Sequence, residues 1–248
     1  MVTLNEVNLA VPRGKYTIDF YQKNLRFHGQ TYNFIIEYKN ILKGFLLPME
    51  NESQISIILK LSPDRPVYQG QTVYQSIMIQ VKKELLIETK SRLKDKEKYP
   101  EMKDEYSGPL FQVFMDILRA ISQIPLISPD LKDFKSKGGQ SCVKCGVKAQ
   151  TGWIYFLKKS LIFIPKPVLY FKIEEIKKVD ISRLGANNKQ FDLQIVLKTD
   201  KKAIEFIGIE RNELEGILEY LKFRSVHIDM EKNESNMKVD ENEDDDDE

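Results

Sequence analysis

Apolar residues two apart recur along this chain and read as half-buried strands: Leu25 and Phe27 in one stretch, Phe171 and Ile173 in another. Lys23-Asn24 and Lys159-Ser160 supply hairpin turns beside them. The two stretches are copies of one pattern. Phe156, Leu161 and Phe163 follow Phe20, Leu25 and Phe27 at one constant offset, and Phe171, Ile173 and Ile176 follow Ile36, Tyr38 and Ile41 at an offset shorter by one. The single lost position falls in the loop Gly29-Gln30-Thr31 against Pro165-Lys166-Pro167, the kind of loop change by which a duplicated unit drifts.

Around that repeat the chain opens with a hairpin, Val7 to Val11 and Lys15 to Tyr21, turned by Pro12-Arg13-Gly14. Further strands are expected at Ile41 to Leu47 and Ile55 to Leu61. A long connection, Ser62 to Val73, precedes Ile77 to Val81 and Leu85 to Thr89, which Lys82-Lys83-Glu84 joins. Lys90 to Tyr106 reads as a charged, solvated connection. The period then changes to that of a helix, with Leu110, Phe111, Phe114, Leu118 and Ile121 on one face. After Pro125 to Gln140, with its Gly138-Gly139 pair, strands recur from Val143 to Ile207. A closing helix follows from about Glu210 to Phe223, with Leu214, Ile217, Leu218 and Leu221 inward and Glu213, Glu215, Glu219 and Lys222 outward. The predicted fold class is mainly β with capping helices (α+β). It comprises tandem pleckstrin-homology-like (PH-like) domains, each a β-barrel or sandwich closed by a C-terminal helix. The expected boundaries are residues 1–125 for the first domain, 126–137 for a linker, 138–228 for the second domain and 229–248 for a disordered acidic tail.

Composition changes this picture in two ways. The net charge of +1 hides a split: from Asp229 to Glu248 eleven acids face two lysines, a charge of −9, which leaves +10 on the chain from Met1 to Ile228. A basic body with an acidic, aromatic-free tail points to polyionic partners, and the tail can compete for the body's basic surface. With only Cys142 and Cys145, and no apolar run near the roughly 18 residues that span a bilayer, a soluble chain in a reducing, intracellular compartment is expected, with no membrane partner.

Candidate chemistry is sparse. Cys142-x-x-Cys145 lacks two further ligands nearby, so small buried core residues are the favoured reading and no metal is assigned. No phosphate-binding glycine loop, His-x-x-x-His pair or nucleophile elbow is present, so no catalytic residue, enzyme activity or cofactor is expected. Lysine pairs at Lys82-Lys83, Lys158-Lys159 and Lys201-Lys202 are candidate contact surface as well as ordinary solvated turns. The loop Tyr68-Gln69-Gly70-Gln71-Thr72-Val73-Tyr74 is polar, flanked by aromatics and turned by glycine, inside a connection longer than a hairpin needs. It reads either as a self-braced loop or as a recognition element presenting Gln69, Gln71 and Thr72.

At that loop a family resemblance emerges. Pro12-Arg13-Gly14-Lys15-Tyr16, Phe45-Leu46-Leu47-Pro48, Gln69-Gly70-Gln71-Thr72-x-Tyr74, Cys142-x-x-Cys145-x-x-Lys148-Ala149 and Ile209-Glu210-Arg211 run in order over residues 6–228. Together they resemble the middle domain of the structure-specific recognition protein family, the small subunit of the FACT histone chaperone. Tyr68 stands where that family usually has Arg or Lys. The resemblance implies a tandem PH module that binds histones and acts in nucleosome disassembly and reassembly during transcription and DNA replication. It also implies a nuclear, chromatin-associated location, and a large FACT subunit engaged through a region absent from this chain. The acidic segment with Asp244, Asp245, Asp246 and Asp247 looks like that family's histone-binding tail. Two rival readings remain from the residues: a phosphoinositide-binding double-PH adaptor, and a direct duplex-DNA binder drawn by the basic body.

Overall fold

A computed structural model describes residues 2–49, 53–92, 96–199 and 203–231. The chain divides into two compact units. The first runs to Asp133 and includes Phe163–Leu169; the second comprises Phe134–Ile162 and the chain from Tyr170 onward.

In the first unit eight strands form one sheet in the order Leu126–Ile127, Ile41–Pro48, Gln54–Leu61, Ser76–Lys82, Val2–Val11, Gly14–Phe20, Asn24–Gly29 and Asn33–Glu37. Helix α1, Leu110–Ile121, buries Leu110, Val113, Phe114, Met115, Ile117, Leu118 and Ile121 against it. Its Phe114 ring meets Phe20 edge-on at 5.1 Å between centroids, a favourable aromatic geometry on top of the area both rings bury. Phe111, expected inward, is only half-buried, because Val113 and Ile117 widen the apolar stripe on the other side.

The second sheet repeats this plan: Leu169–Lys172, Ser160–Ile164, Gln150–Phe156, Cys142–Val147, Ile204–Glu210, Gln190–Leu197, Ile176–Ser182 and Ile228–Met230. A 3-10 turn, Arg211–Glu213, leads into helix α2, Leu214–Phe223. Phe134, Phe156 and Tyr220 stack into its core, with Phe134 and Phe156 at 4.4 Å and Phe156 and Tyr220 at 5.0 Å.

The two copies share even their irregularities. A register shift lies between Ile41 and Lys43 in one unit and between Ile176 and Lys178, the matching positions of the repeat, in the other. Both units also gain a strand that the sequence pattern does not announce. Leu126–Ile127 pairs in parallel with Gly44 and Phe45, and Ile228–Met230 pairs in parallel with Val179, Asp180 and Ile181. The Gly44 amide donates to Pro125 O at 2.9 Å, as the Val179 amide donates to His227 O at 2.8 Å.

These strands alter the expected boundaries. Part of the segment read as linker belongs to the first sheet, and the segment read as a disordered tail is ordered through Glu231, whose amide donates to Ile181 O at 3.0 Å. Asp229 is a structural partner: Lys178 Nζ lies 2.9 Å from its carboxylate and that hydrogen bond holds its pKa below the usual value. Residues 232–248 lie outside the described residues. Two more expectations change. Leu86–Lys90, expected as a strand at Leu85 to Thr89, does not pair with its sequence neighbour but with Glu105–Pro109, a strand that begins at the end of what reads as solvated connection. Glu213 turns inward, where both carboxylate oxygens accept the Lys137 amide at 3.1 and 3.0 Å; a buried acid is tolerable when it is so paired.

Candidate functional site

The polar loop that stands out in the sequence forms a hairpin within the first unit. Val67–Gln69 pairs with Thr72–Tyr74, with Gln69 opposite Thr72, which leaves the two-residue turn Gly70-Gln71. Gly70 has φ +60°, as the first central residue of a type II′ turn requires, and any side chain there would be strained. The hairpin is braced on one side of its turn and open on the other. Gln69 Nε2 donates to Arg13 O at 3.4 Å, whereas Gln71 and Thr72 are exposed and Tyr68 and Val73 keep 59% and 51% of their surface in water. Two large apolar side chains exposed beside a polar turn are the composition of a contact surface.

The turn Pro12-Arg13-Gly14 is fixed against the same region by Tyr16. A Cβ on Gly14 would lie 2.7 Å from Tyr16 Cε2, and one on Gly29 would lie 2.6 Å from Tyr16 Cε1, so the ring lies between two glycines that have to stay bare. Burial lifts the Tyr16 phenol above its usual pKa, with Tyr74 and Tyr32 adding to the effect. Between the hairpin and the turn runs a groove of about 620 Å³. Arg13, Gln69, Tyr74, Gln80 and Lys166 are among its lining residues, all of them in the first unit, and among the described residues no acidic side chain lines it.

The other candidate residues are not gathered there. Lys82 is exposed and Lys83 half-buried, with the Lys83 amide donating to Ser53 O at 3.0 Å. Lys82 ends and Lys83 follows the strand Ser76–Lys82, whose ends are roughly 20 Å apart at strand rise, so they sit at the far end from the hairpin. Lys158 and Lys159 are exposed in the turn of the second unit's hairpin. Sequence reasoning missed their neighbours. Arg224 Nε donates to Lys158 O at 3.0 Å, its guanidinium stacks 3.7 Å from the Tyr220 ring, and Phe223 beside it is 85% exposed. Cation and aromatic side by side past a helix end are visible in the sequence, but the contact with Lys158 spans 66 residues and is not. Lys201, Lys202 and Asp244 to Asp247 lie outside the described residues. Cys142 and Cys145 are both buried, and among the described residues no group of three or more His, Cys, Asp or Glu side chains is placed to hold a metal ion.

Comparison with known proteins matches these units in order. Residues 1–126 match the family model described as SSRP1 PH domain, and residues 141–230 match the histone chaperone Rttp106-like middle domain. Among similar proteins, the FACT complex subunit pob3 of Aspergillus fumigatus is 37% identical over 238 residues, covering 91% of this chain and 40% of that protein. The subunit of the same name from Schizosaccharomyces pombe is 33% identical, covering 92% and 45%. That of Saccharomyces cerevisiae is 29% identical, covering 94% and 43%. The chain thus spans well under half the length of these relatives. A solved structure, "Structure of the Spt16D Pob3N heterodimer", aligns with a TM-score of 0.28 and 9% identity over 79% of this chain and 84% of that one, too slight a likeness to bear on the fold. With the first model spanning half the chain and the second following it, the chain belongs to the SSRP1/Pob3 family of FACT complex subunits, histone chaperones rather than enzymes, and carries two PH-like domains each with a helix near its end.

Proposed function

We propose that this chain is a histone-binding module of a FACT-type chaperone, acting in the nucleus on chromatin where nucleosomes are taken apart and rebuilt during transcription and DNA replication. The large FACT subunit is engaged through a part of the relatives that this chain does not span. The observation that supports a binding role most directly is the hairpin with Gln71 and Thr72 exposed at its tip, flanked by exposed Tyr68 and Val73 and braced on Arg13 through Gln69. Amides and a hydroxyl on a rigid turn, edged by apolar surface, can be desolvated by a protein partner and paired by its backbone. Lys82, Lys83, Lys158, Lys159, Lys201 and Lys202 contribute positive contact surface, and the acidic segment with Asp244 to Asp247 offers a complementary site for basic histone segments.

A pull-down with histone tetramers and with histone dimers, at two salt concentrations, tests this. The chain is compared with a version cut after Glu231, so that the strand Ile228–Met230 keeps its pairing. Retention of histones at both salts, with the acidic segment contributing part of it, is the expected result. Cutting the segment is also expected to strengthen binding of the basic body to duplex DNA at low salt, since like-charge repulsion and competition are both removed. No histone retention at either salt, or retention that vanishes entirely with residues 232–248, overturns the role given to the hairpin.

A further inference from the structure

Beside the hairpin, in a cavity that adjoins the groove just described and shares Val11, Tyr74 and Lys166 with it, one buried polar group has no evident use in the fold. Ser76 is 4% exposed, and its hydroxyl has no hydrogen-bond partner among the described residues. It opens the strand Ser76–Lys82, directly across from Lys60 in the neighbouring strand Gln54–Leu61, so both side chains stand on one face of the sheet. Lys60 is half-buried, and its ammonium donates to Gln75 Oε1 at a long 3.4 Å. Burial holds the Lys60 pKa below its usual value, because desolvation penalises the ammonium.

Ser76 and Lys60 line the same cavity, of about 270 Å³, with the Ser76 hydroxyl just beneath its surface. Val11, Val73 and Val168 supply apolar wall, Lys166 adds a second cation, and among the described residues no Asp or Glu lines it. All of these residues belong to the first unit. A buried hydroxyl without a partner is a standing cost to stability that alanine would remove, so serine at this position calls for a reason outside the folded core.

We infer that Lys60, Ser76 and Lys166 form a binding site for a single oxyanion group, a phosphomonoester or carboxylate carried on an apolar stem. The Ser76 hydroxyl would donate one hydrogen bond and Lys60 a charge-assisted one, while the valines exclude water from the stem. This assignment is independent of the histone reading, because it rests on the cavity and its donors alone.

The test is an NMR titration of the full chain at constant ionic strength, with inorganic phosphate, O-phosphoserine and glutarate as probes. Amide shifts centred on Lys60, Gln75 and Ser76 are expected. Affinity should fall about fivefold or more in Ser76→Ala and in Lys60→Met, the loss of one charge-assisted hydrogen bond, and stay unchanged in Lys23→Met, which removes an exposed lysine elsewhere in the unit. Ser76→Ala should melt at the same temperature as the parent or higher, so that its loss of binding is not a loss of fold. O-phosphoserine binding tighter than glutarate assigns the site to phosphorylated groups, and the reverse order assigns it to carboxylates. Shifts spread over exposed lysines with none centred on these three residues, or equal affinities in the parent and both site variants, overturn the proposal.

Discussion

The two units solve one local problem in different places. In the first, the backbone carbonyl of Tyr21, next to the turn Lys23-Asn24, accepts the Tyr38 hydroxyl at 2.8 Å from the 3-10 turn Tyr38–Asn40. In the second, Ile173 stands where Tyr38 would be, and the equivalent carbonyl, Leu157 O, is met at 2.6 Å by Tyr220 reaching from α2. The backbone around it is otherwise the same: the Tyr38 amide donates to Lys23 O and the Ile173 amide to Lys159 O, both at 3.1 Å. A local tie in one copy has become a tie to the closing helix in the other. α1 docks chiefly through seven buried apolar residues, with its Leu110 amide donating to Leu85 O at 2.7 Å, while α2 buries Ile217, Tyr220 and Leu221 and adds the directed Tyr220 bond. The first unit also carries two additions to the shared frame, the hairpin Val67–Gln69 with Thr72–Tyr74 and the ribbon Leu86–Lys90 with Glu105–Pro109. The copies keep the frame where it is buried and elaborate it where it is exposed.

The strongest test of the shared frame is to remove the same ring from each copy. Phe20 and Phe156 are essentially fully buried, and Phe20→Ala and Phe156→Ala are each expected to cost about 3–5 kcal/mol in urea unfolding. Trp153 is the chain's one tryptophan and lies in the second unit, so its fluorescence reports Phe156→Ala, while circular dichroism follows Phe20→Ala. Costs differing by more than about 2 kcal/mol would mean that the two positions are not equivalent.

The tyrosine ties should then separate the copies. Tyr220→Phe leaves a carbonyl in the buried interior short of a donor and is expected to cost about 1–3 kcal/mol, whereas Tyr38→Phe, at a part-buried carbonyl, should cost about 1 kcal/mol or less. Hydrogen exchange sharpens the contrast: amides of α2 should lose protection in Tyr220→Phe, and amides of α1 should not in Tyr38→Phe. Loss of protection in α1 would show that Tyr38 too acts through its helix.

What the sequence makes legible is the part of the frame with a period. The matched apolar positions, from Phe20 to Ile41 and from Phe156 to Ile176, lie on regular strands and 3-10 turns, so the two copies align from their residues alone. The strands Leu126–Ile127 and Ile228–Met230 are too short to carry a period, and their partners, Gly44 and Val179 onward, lie several elements back in the chain, a distance at which local pattern says nothing. Glu213 is expected outward because an acid in a first turn ordinarily faces water; the Lys137 amide that turns it inward comes from 76 residues away. The Gln69 to Thr72 turn is legible through its glycine, but its brace on Arg13 and the Lys60 and Ser76 pairing are matters of sheet register.

A smaller effect on the fold, and a larger one on binding, is expected at the first unit's added hairpin. Gln71 is exposed at the turn, so Gln71→Lys should change stability by no more than about 0.5 kcal/mol. At a desolvated contact the same change leaves a partner group unpaired, at about 1–3 kcal/mol, or roughly fivefold and upward in affinity. Melting and histone pull-down on one preparation separate the two. A melt lowered by several degrees with normal histone binding would make the hairpin a structural brace and remove Gln69, Gln71 and Thr72 from the proposed surface.

The smallest effect is expected where the copies differ in chemistry but bury the position alike. Through strand pairing, Cys145 opposite Gly152 corresponds to Val7 opposite Tyr16, and the two are 3% and 1% exposed. If the thiol serves only as a small hydrophobe, Cys145→Val should cost less than about 1 kcal/mol at neutral pH. Burial pushes the Cys145 pKa up to about 12, well above that of an unfolded thiol. At pH 8 only about one thiol in ten thousand is then ionised, so native Cys145 should resist iodoacetamide and react only on unfolding. The sign of the pH effect follows from the raised pKa: the neutral thiol's contribution is complete below the unfolded pKa and is lost as pH rises toward the folded one. Between about pH 9 and 12 Cys145→Val should therefore gain on the parent, a comparison of two urea midpoints at each pH. Rapid alkylation of the folded chain at pH 8, or a valine variant that loses ground as pH rises, would show a thiol with a role that Val7 does not share.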